Sequence, residues 1–275
     1  MTGRSILITG CSSGIGLASA RVLKARGWRV LATARRAEDV MRLNEGEGVE
    51  ALPLDLADSA SIAACAEEAL RRTDDKLYAL FNNSAFAQVG AVEDLSADLF
   101  RRQLEVNLVA THDLTRRILP SMRRNGEGRI VQCSSVLGFV AGPFRGAYCA
   151  SKFALEALSD SMRMELRGSG VRISIIQPGP IYSKFIESAL KNFKQTIDIE
   201  GSPHRELYVA RLKLMEAGGQ KRFKLQPEAV TAKLVHALES PRPKARYRVT
   251  MPTHFSAVMK RILPTPLLDR LLMKM

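Results

Sequence analysis

Short, unbroken apolar runs alternate with longer segments of helical period along most of this chain, and few folds accommodate that rhythm. The runs occupy residues 5–8, 29–34, 49–54, 77–82, 129–133, 172–176 and 247–251. Several carry Val, Ile and Leu without polar alternation, the pattern of strands buried on both faces of a parallel sheet. Helical periodicity covers residues 16–26, 59–72, 98–122, 147–167 and 227–239. Strands that alternate with crossover helices wind right-handedly around one sheet. The expectation is a doubly wound α/β fold: a seven-stranded, mainly parallel sheet with helices on both faces. No Pro/Gly/Ser-rich linker divides residues 1–275, so they read as one domain.

With 46% hydrophobic and 25% charged residues, the chain is excluded from the disordered and fibrous classes. Its four cysteines (Cys11, Cys65, Cys133, Cys149) are scattered, with no CxxC and no Cys/His cluster, so no metal site is expected. Reduced thiols point to a cytoplasmic compartment. The run Ile6-Leu7-Ile8 is too short for the core of a secretory signal. No stretch reaches the roughly 18 apolar residues of a membrane span.

Two segments break the rhythm. Residues 183–226 mix Phe185, Ile186, Leu190, Phe193, Leu207 and Tyr208 with nine basic and five acidic residues. They follow a strand, on the face where open α/β sheets bind ligands. Surface helices that cap the sheet are one reading; a substrate lid is the favoured one. Residues 241–275 hold eight basic residues and one acid, +7 of the chain's +13. Within them, the apolar and basic tail 253–275 packs on the sheet or a second subunit in the favoured reading. As a monotopic anchor on an anionic leaflet it has a second. Nucleic acid is not an expected partner despite the charge: Trp28 is the one tryptophan, and no recognition-helix or RNP-like pattern occurs.

The first strand runs into Thr9-Gly10-Cys11-Ser12-Ser13-Gly14-Ile15-Gly16 and then directly into a helix. Glycine at 10 suits the tight turn, at 14 the close approach of a pyrophosphate, and at 16 close helix–strand packing. Anions are held at such helix N-termini by unpaired N–H groups and the helix dipole. Gly10, Ser12, Ser13, Gly14, Ile15 and Gly16 are therefore candidate dinucleotide-binding residues in a Rossmann-type fold. The second strand ends Ala34-Arg35-Arg36, with no acid before Glu38. A carboxylate there favours NAD; Arg35 can fork onto a 2′-phosphate, with Ser12 beside it, so NADP(H) is the expected cofactor.

Tyr148 and Lys152 stand four residues apart at the start of a helical segment, hence on one face. A cation beside a phenol favours phenolate and brings an acid–base group of ordinary pKa near 10 toward working range. Ser135 ends the preceding strand, where its hydroxyl can bond a substrate oxygen. These three behind a phosphate turn are the candidate catalytic set.

On these motifs the chain resembles the classical short-chain dehydrogenase/reductase family over nearly all of residues 5–250. Within the family it is most similar to bacterial NADP-dependent aldehyde reductases and vertebrate hydroxysteroid and retinol dehydrogenases. The resemblance implies that Ser135, Tyr148 and Lys152 are the catalytic serine, tyrosine and lysine. It makes Asn107 a fourth catalytic position, holding a water that relays protons to the lysine. It gives Asp55 and Leu56 to the adenine, and Asn82 to the stretch that passes the cofactor ribose. Pro178, Gly179, Ile181 and Ser183 become the loop that orients the nicotinamide. Where the family has Asn-Asn-Ala-Gly this chain has Asn82-Asn83-Ser84-Ala85, so Ala85 is strained if its position needs positive φ. The family's threonine in the nicotinamide loop is Ser183 here, which keeps the hydroxyl.

The implied function is NADP(H)-dependent hydride transfer between nicotinamide and the carbonyl or alcohol of an apolar substrate: an aldehyde, a steroid, a retinoid or a lipid-derived ketone. Phe86, Gln88, Val140, Phe144 and Arg145 are the candidate pocket wall, with no convergence of charges for a carboxylate or phosphate. A non-catalytic NADP(H)-binding sensor is the alternative, against which the complete catalytic set speaks. Homologues pair through the helices at 98–122 and 147–167, so a homodimer or homotetramer is expected.

Overall fold

The computed structural model describes residues 3–218 and 222–273. Among these residues, seven strands form one sheet: β1 Ser5–Ile8, β2 Arg29–Ala34, β3 Glu50–Pro53, β4 Ala79–Asn82, β5 Gly128–Cys133, β6 Val171–Gln177 and β7 Arg246–Arg248. Their order is β3-β2-β1-β4-β5-β6-β7, and every neighbouring pair is parallel. The helices are α1 Gly14–Ala25, α2 Ala37–Gly46, α3 Ser59–Arg72, α4 Ala97–Leu104, α5 Ala110–Arg124, α6 Gly146–Glu165, α7 Phe185–Thr196, α8 Arg205–Glu216, α9 Glu228–Glu239, α10 Met251–Ile262 and α11 Thr265–Met273.

The unbroken apolar runs have a direct cause. Alternate strand residues feed two cores, one on each face. Ile6, Ile8, Val30, Phe81 and Val131 pack with Leu23 of α1 and Leu234 and Leu238 of α9. Their neighbours Leu7, Leu31, Leu80 and Ile130 pack with Ile62 of α3 and Leu114 and Ile118 of α5. Each such fully buried side chain contributes about 1.5–3 kcal/mol, so neither face tolerates a polar register. Strand order reverses between β1 and β4, and the ligand crevice of such a sheet opens there at the carboxyl ends.

The structure departs from the sequence expectation in three places. The helix expected at 98–122 is α4 and α5 joined by the π-helical turn Glu105–Val109, a local widening that holds Asn107. Residues 37–46 form α2, whose sparse apolar positions concealed it. The last strand stops at Arg248, because Thr250 takes the N-cap position of α10 and Pro252 sits in its first turn. The 183–226 segment forms α7 and α8, with residues 219–221 outside the described residues.

The two ends of that insertion are stapled together: Tyr182 N donates to Leu225 O at 2.9 Å and Leu225 N to Pro180 O at 3.1 Å. Its middle is anchored by the fully buried Tyr208, whose hydroxyl donates to Asp94 and accepts from Ala91 N at 2.6 Å. Burial, reinforced by the Asp94 carboxylate, pushes the Tyr208 phenol up to about 12. In the tail, α10 buries Thr253, Ser256 and Ala257, and Lys260 donates to the Phe139 carbonyl. Residues 274–275 lie outside the described residues. Among those described, no helix is long and apolar enough to cross a membrane.

Candidate active site

At the phosphate turn, α1 opens at Gly14 with no side chain capping it and no acid in its first turn. Its terminal N–H groups are left to water or to an anion. Gly14 has φ +56°, and a Cβ on Gly16 would lie 2.1 Å from the Gly10 carbonyl oxygen. Backbone cannot yield to that contact. Gly16→Ala is expected to cost about 1–3 kcal/mol and to weaken dinucleotide binding; unchanged denaturation midpoint and NADPH fluorescence titration would contradict this.

The loop after β4 is tied to the turn through Thr9, whose hydroxyl accepts from Asn83 N and Ser84 N, each at 2.9 Å. Asn83 Nδ2 also donates to Thr9 O at 3.0 Å. Asn82 points elsewhere, its amide donating to Thr115 Oγ1 of α5 at 2.9 Å. Asn83 is thus the residue of this stretch whose side chain reaches the turn, because side chains alternate along the strand. Ala85 has no positive φ, so the missing glycine causes no strain.

At the end of β2, Arg36 pairs with Glu38 at 2.9 Å and Asp39 at 3.0 Å. Arg42 pairs with Asp39 at 2.9 Å and donates to Ser12 O at 2.7 Å. Among the described residues Arg35 makes no ion pair and no hydrogen bond, so its exposed guanidinium is free for a ligand. The half-buried Asp55 accepts from Ala57 N at 2.9 Å and donates its own N–H to Ser61 Oγ at 2.9 Å, beside the buried Leu56.

Ser135, Tyr148 and Lys152 converge beyond the end of β5. Tyr148 and Lys152 share the first turns of α6, with the ammonium 5.8 Å from the phenol ring centroid. Lys152 Nζ donates to Cys133 O at 2.8 Å. Ser135 Oγ accepts from Leu137 N at 3.1 Å, which leaves its own proton to donate outward. Burial drives the Tyr148 phenol above its ordinary pKa, against a hydrogen bond from Ser135 and the charge of Arg145. Burial likewise pushes the Lys152 amine down, opposed by Cys133 and Glu156. The expected lowering of the tyrosine is therefore reversed in this pocket: lost hydration outweighs nearby charge.

Glu156 was missed by the sequence reading. It lies one turn beyond Lys152 on α6, buried, and accepts from Gln177 Nε2 and Arg246 Nε, each at 2.9 Å. Its spacing of four from Lys152 was the available signal. Asn107 is buried in the π-helical turn with its amide committed. Oδ1 accepts from Phe86 N at 3.1 Å, while Nδ2 donates to Phe86 O at 2.9 Å and to Ser151 Oγ at 3.3 Å.

The loop from Pro178 to Ser183 faces this cluster. Val136 N donates to Pro178 O at 2.8 Å, and Gly179 packs against the Thr250 and Thr253 hydroxyls. Ile181 is buried, and a Cβ on Gly14 would come within 3.1 Å of Ser183 Cβ, which sets the loop over the glycine turn. The Phe185 ring at the start of α7 lies 5.7 Å from the Tyr148 ring. Of the expected wall, Gln88 is a strut: it is buried, donates to Thr196 Oγ1 at 2.9 Å and accepts from Asn192 Nδ2 at 2.7 Å, pinning α7 to the body.

A parallel sheet that reverses beside an uncapped, glycine-lined helix terminus defines a dinucleotide-binding α/β protein. Residues 4–194 match the family model described as short chain dehydrogenase, and the chain belongs to that family of oxidoreductases. An uncharacterized oxidoreductase of Escherichia coli K12, YbbO, is 44% identical over 269 residues, 98% of this chain and 94% of that protein. Human 17-beta-hydroxysteroid dehydrogenase type 1 is 35% identical over 259 residues, covering 89% of this chain and 77% of its own. The crystal structure of a short-chain dehydrogenase from Streptomyces avermitilis superposes with a TM-score of 0.77 at 27% identity, covering 94% of each chain.

Proposed function

We propose that the chain reduces aldehydes or ketones with NADPH, or oxidises the corresponding alcohols, with Ser135, Tyr148 and Lys152 as the groups that act on substrate and cofactor. The observation that carries the reading is their convergence opposite the open terminus of α1, with Arg35 unpaired at the end of β2. The residues present suit NADP(H): the glycine-lined turn leaves room and free N–H groups for a diphosphate, and Arg35 for a phosphate monoester. When bound, the dinucleotide supplies or accepts a hydride at the substrate carbon. Ser135 donates its hydroxyl proton toward the carbonyl oxygen. Tyr148, kept protonated by burial, gives its proton to that oxygen as charge develops on it. Lys152 offers its N–H groups to the nicotinamide ribose and a positive field to the phenol. Asn107 positions the Phe86 backbone and Ser151 on the inner side of the cluster, and a water relay toward Lys152 is part of the same reading.

The substrate pocket is closed by α7 and α8, acting as a lid, and lined by Phe86, Val140, Phe144 and Phe185. That lining favours an apolar carbonyl compound. Pairing of two copies along the outward faces of α5 and α6 belongs to the same reading, supported by Met164, which is 64% exposed. The tail is assigned to packing on the body, and flotation with anionic vesicles with and without residues 253–275 tests the membrane alternative. The function itself is tested by NADPH absorbance over a panel of medium-chain aldehydes, ketones and steroids. Turnover of at least one class is expected; NADPH binding with no turnover anywhere would replace the enzyme by a cofactor sensor.

A further inference from the structure

The sequence suggested a pocket wall without converging charges, yet folding brings two arginines together there from positions 66 residues apart (211 − 145). Arg145 immediately precedes α6, three residues before Tyr148, and Arg211 comes from α8 of the insertion. Phe144 lies between them. Its φ of +62° is unusual for a bulky residue, and its carbonyl accepts from Gly90 N at 2.9 Å. Arg211 Nη2 donates to Pro143 O at 3.1 Å, with the guanidinium carbon 5.4 Å from the Phe144 ring centroid.

Among the described residues neither cation has a counterion. Arg145 Nε is buried with no hydrogen-bond partner, and no carboxylate pairs with Arg145 or Arg211 among the described residues. The acids nearby are already committed. Asp94 is held by Tyr208 and Ser202, Glu93 by His204 and Glu200 by Arg205. Arg129 and Arg248 also have a buried Nε without a partner, but Arg129 donates through Nη1 to Gly128 O and lies over the Tyr78 ring. Arg145 is the one beside the reacting phenol.

Burial depresses the pKa of both Arg145 and Arg211, and the charge of Arg145 adds to the effect on Arg211. Guanidinium stays protonated regardless, so the lost hydration calls for an anion from outside the chain. A carboxylate suits better than a phosphate. Arg211 spends one N–H on Pro143, and the neighbours Phe144 and Tyr208 make a second negative charge costly to desolvate.

We propose that Arg145 and Arg211 form a carboxylate-binding pair in the substrate pocket, and that the substrate is an oxo acid whose apolar chain separates a terminal carboxylate from the reacting carbonyl. This rests on the reading of Tyr148 as the proton donor, because that reading places the pair in the pocket. It makes the pocket polar at one end and apolar between.

The test compares a medium-chain ω-oxo acid with its methyl ester, which has nearly the same shape and no charge. In the wild-type enzyme kcat/KM for the acid should exceed that for the ester by roughly tenfold to a hundredfold, the range of a charge-assisted pair. Arg211→Gln and Arg145→Gln should each lower the acid-to-ester ratio about tenfold, and Arg211→Lys should retain part of it. An ester used as well as the acid by the wild type, or a ratio unmoved in both glutamine variants, would overturn the pair. Protection against thermal unfolding by the saturated carboxylate of the same length gives a readout independent of turnover. If no carbonyl compound is reduced, the proposed function fails, and this protection decides the pair alone. Protection in the wild type that is lost in Arg211→Gln sustains the pair; no protection in the wild type removes it. Where Arg145→Gln does not fold by circular dichroism, Arg211→Gln carries the comparison.

Discussion

Tyr148→Phe is expected to lower NADPH-dependent carbonyl reduction by about 10²- to 10⁴-fold, the range of a positioned general acid, while NADPH still binds. The substitution removes one oxygen and keeps the ring that packs 5.7 Å from Phe185, so the fold and the pocket wall persist. The phenol is buried, and burial raises its pKa. It therefore remains a proton donor well above neutral pH, and the reductive rate should not fall through neutrality on its account. The alkaline loss should instead follow Lys152. Burial lowers that amine's pKa, so its ammonium form, present at low pH, disappears at lower pH than for a free lysine. A pH profile of kcat/KM in the reductive direction, with NADPH fluorescence alongside, reads both. Near-normal turnover in Tyr148→Phe would remove the tyrosine from the mechanism and the proposed function with it.

What was legible in the chain, and what was not, follows from the range over which each signal acts. The unbroken apolar runs of β1 and β2 declare a sheet buried on both faces because alternate residues feed opposite cores. The glycine turn is equally local: the clash that Gly16 avoids is with Gly10, six residues away, so the constraint is written into one short segment. Tyr148 and Lys152 are read by helical spacing alone. The misreadings at the site involve distant partners. A continuous helical period hid the π-helical turn at Glu105–Val109, which holds Asn107 against the Phe86 backbone 21 residues earlier. Gln88 looked like a pocket residue, but its partners Asn192 and Thr196 lie on α7. The pairing of Arg145 with Arg211 exists only after the insertion has docked through Tyr208 onto Asp94. Charge counts over windows do not detect it, because the neighbouring acids are spent on other groups.

If the chain prefers the phosphorylated cofactor as proposed, Arg35→Glu is expected to reverse that preference. In the native chain β2 ends with the free Arg35, while Asp39, the nearest buried acid on α2, is shared between Arg36 and Arg42. Among the described residues no carboxylate pairs with the Arg35 guanidinium, which suits it to a phosphate monoester. Loss of such a charge-assisted fork, as in Arg35→Ala, should reduce the NADPH-to-NADH ratio of kcat/KM by roughly 10- to 100-fold. Glutamate adds repulsion of the 2′-phosphate and offers a carboxylate to the ribose hydroxyls of NADH, so its ratio should fall further still. Arg35 is exposed and supports no ion pair, so both variants should keep the native denaturation midpoint within about 0.5 kcal/mol. That separates a change in recognition from a damaged fold. A ratio unchanged in both would mean that the end of β2 does not read the phosphate. Selectivity would then have to arise elsewhere at the turn, where Arg42 donates to the Ser12 carbonyl at 2.7 Å.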